Sequence, residues 1–498
     1  LTSDQREDIE ERDSCLTDEF VIETGKIRKK ILSGVVTPYD EYLESSNPRV
    51  QYYLDLIKIR IALSAGSIQL SDAFAAIKLL EDDPEFVVGN TFGPMPEIWT
   101  QKMIDHLVSN IKLLQKSKVI EASNSYSAII DTLRALSPAV APSGFLAKVF
   151  SYFIHNPLAS FSQAGRDLGC HRSTAKSGFE SLNKRWRIMA LSLLNGCPFG
   201  IKGFTLFFEM RDKEEWNLIR DPLLSFPFTK TLHRSITSPF GFISFCIPGS
   251  KRNQISFLAS LERTSKRYFE YSSLHKQLDL SRIVNPNLIK DGGWELPECL
   301  LSDEIRGPVK NKPAVSSISC LPYLNELTKD DFITSEIVSY HLRNSNTELA
   351  KIMKSRGYDA KPSQIAYRIK KMMKLGVMSP WLWYSGAGLH YNLTIELVSN
   401  QNARQKIFEA VSGFPEVFTS ATDRGAIIWI DIPKYHLKDY YEYLSKLSII
   451  PGVDRLRPIL AFDRSGGKNY IDIYEDLEFG DDGFGSASND LDIDGYIP

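Results

Sequence analysis

The run from Asn156 to Arg185, NPLASFSQAGRDLGCHRSTAKSGFESLNKR, decides how the chain is read. Asn156-Pro157 makes a turn. Ser160 can cap a short helix through Leu168, because its hydroxyl accepts free first-turn amides. Gly169 closes that helix, since glycine takes the left-handed turn geometry at little cost. A further helix runs from about Arg172 to Arg185 with Ala175, Phe179 and Leu182 inward. Upstream, Leu146, Val149, Phe150 and Phe153 recur at i, i+3, i+4 and i+7, one face of a preceding helix. Two helices joined by a tight glycine turn, the second rich in Arg, Ser, Thr and Lys, make a helix-turn-helix pattern. Residues 165–187 hold six Lys/Arg against two acids. The candidate DNA contacts of this copy are His171, Arg172, Ser173, Lys176, Ser177 and Lys184.

The plan returns downstream. Glu336, Ile337, Val338 and Leu342 begin a helix, Thr347–Ser355 is the next, Gly357 marks the turn, and Pro362 opens the third. Ile365, Ile369 and Met372 face inward. That leaves Lys361, Ser363, Gln364, Tyr367, Arg368 and Lys371 as candidate DNA contacts. Residues 343–374 carry nine Lys/Arg and two acids. Side chains near the start of such a helix can read base edges, and Lys and Arg further along can neutralise phosphates. On that reading Arg368 and Lys371 are phosphate ligands.

Each pattern is followed by a strand–helix–strand–strand–helix–strand order. In the second copy these are Tyr391–Val398, Gln401–Val411, Glu416–Thr422, Ala426–Ile432, Tyr435–Leu447 and Val453–Leu460, with Asp423-Arg424-Gly425 as the hairpin. In the first they are Phe204–Met210, Asp212–Leu224, Phe228–Ile236, Phe242–Ile247, Asn253–Arg263 and Tyr268–Tyr271. The βαββαβ order is ferredoxin-like, so the fold class is α+β. The expected domains are a mostly helical 1–140, winged helix-turn-helix units at 143–198 and 333–382, ferredoxin-like units at 200–275 and 388–465, a linker at 276–330 and a disordered acidic tail at 469–498. The linker rests on its Pro and Gly content. The tail rests on nine acids between 472 and 494 and no Lys or Arg after Lys468. One reading of the tail is a mask over a basic face.

The stretch from Asn156-Pro157 through Phe161-Ser162-Gln163-Ala164 and Leu168-Gly169-Cys170-His171-Arg172-Ser173-Thr174 to Leu182 resembles the winged helix of leucine-responsive (Lrp/AsnC-type) regulators. Phe414-Pro415-Glu416-Val417, Gly425-Ala426-Ile427-Ile428-Trp429 and Ile450-Pro451-Gly452-Val453 resemble their ferredoxin-like domain. The resemblance covers about 143–275 and 333–465. It implies a transcription regulator binding double-stranded DNA and a pseudo-dimer within one chain. It also admits a small-molecule effector, to which no residue is assigned, and leaves further homo-oligomerisation open. The recognition helices differ, His171-Arg172-Ser173-Thr174 against Lys361-Pro362-Ser363-Gln364, so two unlike half-sites are expected, about one helical turn or a multiple apart.

Composition bounds the alternatives. The 498 residues carry 59 Lys+Arg and 61 Asp+Glu, a net charge of −2, so basic surface is local. No apolar run of membrane-spanning length occurs, and the acid-rich Leu1 to Asp13 is not read as a signal peptide. The cysteines at 15, 170, 197, 246, 299 and 320 form no CxxC and are read as reduced thiols of a cytoplasmic protein. No metal or phosphate-loop motif and no nucleophile–base constellation is present, so no catalytic residue, cofactor or metal is assigned and no enzyme is expected. Two alternatives stay open. Siroheme decarboxylases share this kind of plan, and His233-Arg234 could then face a carboxylated macrocycle. The other is an adaptor that kept the fold without DNA binding.

Overall fold

A computed structural model of the chain describes residues 141–497, short stretches excepted, and isolated positions between 32 and 76. The chain divides into two units, 1–137 and 138–498. The helical reading of 20–140 lies almost wholly outside the described residues. In the first unit Asp40 accepts from Thr37 and pairs with Lys58 at 3.1 Å.

The second unit opens with three helices, α1 (Gly144–His155), α2 (Phe161–Asp167) and α3 (Arg172–Trp186). Ser160 caps α2 by accepting from the amide of Gln163, and Gly169 has φ +64°. Gly178 lies inside α3 because a Cβ there would come within 3.0 Å of Val149 on α1. Its helix-propensity cost of about 1 kcal/mol is offset by closer helix packing. Strand β1 (Met189–Leu194) leads into the first ferredoxin-like unit: β2 (Ile201–Met210), α4 (Trp216–Ser225), β3 (Thr229–Arg234), β4 (Phe240–Pro248), α5 (Lys251–Tyr268) and β5 (Phe269–Lys276). The stretch read as a linker supplies β6 (Asp279–Val284) and β7 (Ala314–Ser319). Next come α6 (Lys329–Val338), α7 (Asn346–Ser355), α8 (Pro362–Lys374) and β8 (Met378–Trp383). The second ferredoxin-like unit is β9 (Leu389–Ser399), α9 (Gln401–Val411), β10 (Glu416–Ala421), β11 (Gly425–Pro433), α10 (Leu437–Leu447) and β12 (Val453–Leu460). Strand β13 (Asp463–Gly467) and α11 (Tyr470–Tyr474) follow. Gly425 suits the hairpin because a Cβ there would collide with the carbonyl oxygen of Leu397.

The two copies are joined by strands in two ways. First, β1 and β8 pair antiparallel, Met189 opposite Trp383 through Leu194 opposite Met378, so the two helix-turn-helix units share one ribbon. Second, the strand after each ferredoxin-like unit crosses to the sheet of the other. The first sheet runs β13-β3-β4-β2-β5 and the second β12-β9-β11-β10-β6-β7. Strand β6 follows β5 yet pairs with β10, Glu416 opposite Val284. Strand β13 follows β12 yet pairs with β3, Asp463 opposite Arg234. The exchange is reciprocal: each trailing strand becomes part of the other unit's sheet.

Three sequence expectations differ from the structure. The 276–330 stretch is no linker: its alternating residues extend the second sheet, and Arg282, Val284 and Trp294 are buried. The 469–498 segment is no free tail. Ile473, Tyr474, Phe484, Leu491, Ile493 and Ile497 are buried in the core that also holds Phe228, Phe257 and Phe332. Its acids are used in docking: Asp492 and Asp494 pair with Arg263 on α5 at 2.9 and 3.1 Å, and Glu475 accepts from Tyr358. Counting acids misled because a large apolar residue recurs every few positions, which a disordered tail lacks. A third correction concerns thiols. Cys197 and Cys320 form a disulfide across 123 positions, while Cys170, Cys246 and Cys299 are free. Among the described residues no helix is long and apolar enough to cross a membrane.

Candidate functional site

Both helix-turn-helix units present the residues the sequence marked at the start of their last helix, and the second ties up two further along. In the first, His171, Arg172, Ser173, Lys176 and Ser177 are all exposed. His171 Nδ1 lies 2.7 Å from the Ser173 hydroxyl, ordering the first turn of α3, and Lys176 pairs with the exposed Glu180 at 3.5 Å. Lys184 lies on α3 with its side chain outside the described residues. In the second, Lys361, Ser363 and Gln364 are exposed, and Tyr367 stands 69% exposed on the same helix. The side-chain carbonyl of Gln364 accepts from the amide of Lys361 and fixes the helix start.

Arg368 and Lys371 differ from the expectation. Arg368 donates to Asp330 at 2.6 Å and to the Thr334 hydroxyl at 3.2 Å; Lys371 pairs with Asp331 at 2.9 Å. Both side chains are only 18% exposed. They tie α8 to the first turn of α6, where Thr328 and Asp331 form a capping box. A phosphate would have to displace carboxylates from both. The exposed lysines of α7, of α8 and of the turn between them are instead Lys351, Lys354, Lys361, Lys370 and Lys374.

Arg343, counted within the basic stretch, is also internal. Its guanidinium stands 4.7–5.0 Å from the ring centroids of Phe153, Phe161 and Phe179, and donates to the carbonyls of Pro157 and Ala159 at 2.9 and 3.0 Å. The second helix-turn-helix unit thus plugs an arginine into the aromatic core of the first. Cation–π contact and two charge-assisted hydrogen bonds hold the two helix-turn-helix units together there.

The facing sheets hold a second feature that the sequence reading missed. Phe207 and Phe242 of the first sheet meet Ile427 and Ile459 of the second. Beside them Glu396 is fully buried. Tyr271 donates to its Oε1 at 2.5 Å, and His275 Nε2 stands 3.5 Å from the same oxygen. His275 Nδ1 lies 3.0 Å from the Thr422 hydroxyl. Burial acts to raise the Glu396 carboxyl, but hydrogen bonds from His275 and Tyr271 outweigh it and hold it below its ordinary 4.5. A depressed carboxyl contributes stability above its unfolded value, and that contribution is lost as pH falls through the folded value. The stability gap between the native chain and Glu396→Gln should therefore be full at neutral pH and shrink below pH 4.5. Urea titrations across that range check it, and a gap independent of pH would contradict it. The sequence carries no signal for this: Thr394 and Glu396 alternate with Leu393, Ile395 and Leu397, a pattern that ordinarily sends the polar set to solvent, and only the facing sheet buries it.

His233 and Arg234 lie on β3. The His233 ring stacks on Phe242 at 4.4 Å, and the Arg234 guanidinium lies 5.0 Å over Trp216. Among the described residues no cluster of three or more metal-ligating side chains occurs.

No protein-family model matches the chain, and no curated protein matches it. Among solved structures it is similar to the siroheme decarboxylase NirDL at 10% identity and a TM-score of 0.40. The match covers 66% of this chain and 96% of that one. The same enzyme with an iron-uroporphyrin III analogue matches at 9% identity and a TM-score of 0.40 over 65% and 93%. A structure described as PH0061 matches 27% of this chain and 92% of its own at 8% identity and a TM-score of 0.20.

Proposed function

We propose that the chain is a DNA-binding transcription regulator of the Lrp/AsnC type that reads two unlike half-sites with the first turns of α3 and α8. The observation that carries this is the presentation of those turns. Two helix-turn-helix units hang from one shared ribbon, are braced by Arg343, and leave His171–Thr174 and Lys361–Gln364 exposed. Ser363 and Gln364 suit base edges; Arg172, Lys361 and Lys370 suit phosphates.

The test is a binding titration against random genomic duplex fragments at two salt concentrations, with the bound fragments sequenced. The expected result is a steep salt slope and an enriched two-part motif. Replacing Lys361 and Lys370 by Ala should lower the salt slope by about one unit per lost contact. Replacing Gln364 by Ala should relax one half of the motif and leave the other. Replacing Arg368 and Lys371 should act on the stability of the second helix-turn-helix unit before it acts on the slope. No binding of the intact chain at low salt would sink this reading and favour the adaptor.

A further inference from the structure

Cys320 directly follows β7, and Cys197 lies in the turn between β1 and β2. The two stretches are laced together around the sulfurs. Asn195 Nδ2 donates to the carbonyl of Ser319 at 2.5 Å, and the amide of Leu324 donates to the carbonyl of Pro198 at 3.1 Å. The Ser316 hydroxyl on β7 donates to the carbonyl of Pro380 on β8 at 2.8 Å. The bridge therefore joins the outer edge of the second sheet to the base of the shared ribbon. Both cysteines are half-buried, and with Asn195, Gln277, Asp279 and Ser319 they line a cleft of about 70 Å³. Lys202 Nζ stands 3.8 Å from Cys320 Sγ. A cation beside one sulfur of a pair stabilises its thiolate, which makes it both the better leaving group and the more populated nucleophile. Cys246 and Cys299 are buried free thiols, and burial pushes both of them up.

We propose that Cys197 and Cys320 form a thiol–disulfide exchange site for small thiols and disulfides of the glutathione class, whose oxidised form staples the edge of the second sheet to the shared ribbon. In reduction an external thiolate attacks Sγ of Cys197. The S–S bond breaks, its electron pair passes to Cys320, and that thiolate leaves beside the Lys202 ammonium. A second external thiolate attacks the outer sulfur of the mixed disulfide and releases Cys197. Two external thiols become one external disulfide, and the protein gains two thiols. Oxidation runs the same steps backwards with a small disulfide as oxidant. The site stands independently of DNA binding.

The test uses the full chain equilibrated with glutathione mixtures of graded ratio, trapped by alkylation and read by peptide mass spectrometry. Cys197 and Cys320 should change state together while Cys246 and Cys299 stay free thiols. Amides of residues 314–319 should exchange hydrogen faster in the reduced form. In a Cys197→Ser background, Cys320 should acquire glutathione, and Lys202→Met should slow that step about tenfold. The proposal is overturned by a pair that stays oxidised in excess reduced glutathione or stays reduced in excess oxidised glutathione. Exchange at 314–319 that ignores the redox state, or a Lys202→Met rate equal to the parent's, overturns it as well.

Discussion

A chain ended at Lys468 should lose its cooperative unfolding transition. The segment removed buries Tyr474, Phe484, Leu491, Ile493 and Ile497 among the side chains of α5, α6 and the first sheet. Each such side chain contributes about 1.5–3 kcal/mol when buried, so five together contribute at least about 7 kcal/mol. That is comparable to the whole net stability of an ordinary domain, about 5–15 kcal/mol. Polar ties go as well: the Tyr474 hydroxyl donates to the carbonyl of Cys246 at 2.7 Å, and Asp492 accepts from Ser260 at 2.7 Å. Far-ultraviolet circular dichroism with calorimetry would read the result. A truncated chain that melts cooperatively within a few degrees of the full one would contradict the packing described. On the mask reading of the tail, the same truncation would leave stability alone and raise DNA affinity, so one protein separates the two accounts.

Glu416→Ala should destabilise the fold by about 3–5 kcal/mol. Glu416 on β10 accepts from Arg282 on β6 at 2.6 and 2.7 Å, and the side chains are 8% and 4% exposed. The guanidinium also stands 4.3 Å from the ring centroid of Trp381 and 5.6 Å from that of Phe418. Removing the carboxylate leaves a buried cation without the group it donates to. The joint replacement Arg282→Met with Glu416→Leu removes both charges and should come within about 1 kcal/mol of the parent. Chemical denaturation of the three chains decides it, and a single variant as stable as the double one would refute the argument. The stake is architectural, because this pair holds the crossing strand β6 onto the second sheet.

What was legible in the sequence was what is local. The 3.6 and 2.0 periodicities place helices and strands, and Ser160, Gly169, Gly357 and Pro362 punctuate them through backbone chemistry that acts within a few residues. Both βαββαβ orders and both helix-turn-helix units were read that way. Partners distant along the chain were not legible. Arg368 and Lys371 fall one turn apart on α8 at the margin of its inward stripe, where periodicity does not separate surface from seam. Only the acids of α6 decide the matter. Arg343 counted as one charge among nine, although its place in an aromatic box depends on three phenylalanines from the other copy. The cysteine bridge spans 123 positions without a spacing rule. The crossing strands have ordinary strand composition, and which sheet they join is a property of topology.

The crossing has a consequence for synthesis. Strand β3 leaves the ribosome early, but its outer partner β13 is made more than two hundred residues later. At about 5–20 residues per second, that edge waits on the order of ten to fifty seconds with its amides and carbonyls unpaired. An open edge is a template for aggregation, and charged side chains are the usual guard. Strand β3 carries Lys230, His233 and Arg234 within six residues. A stretch first weighed as a face for a carboxylated macrocycle thus also has the composition of a strand that must stay unmated until the far end of its own chain arrives.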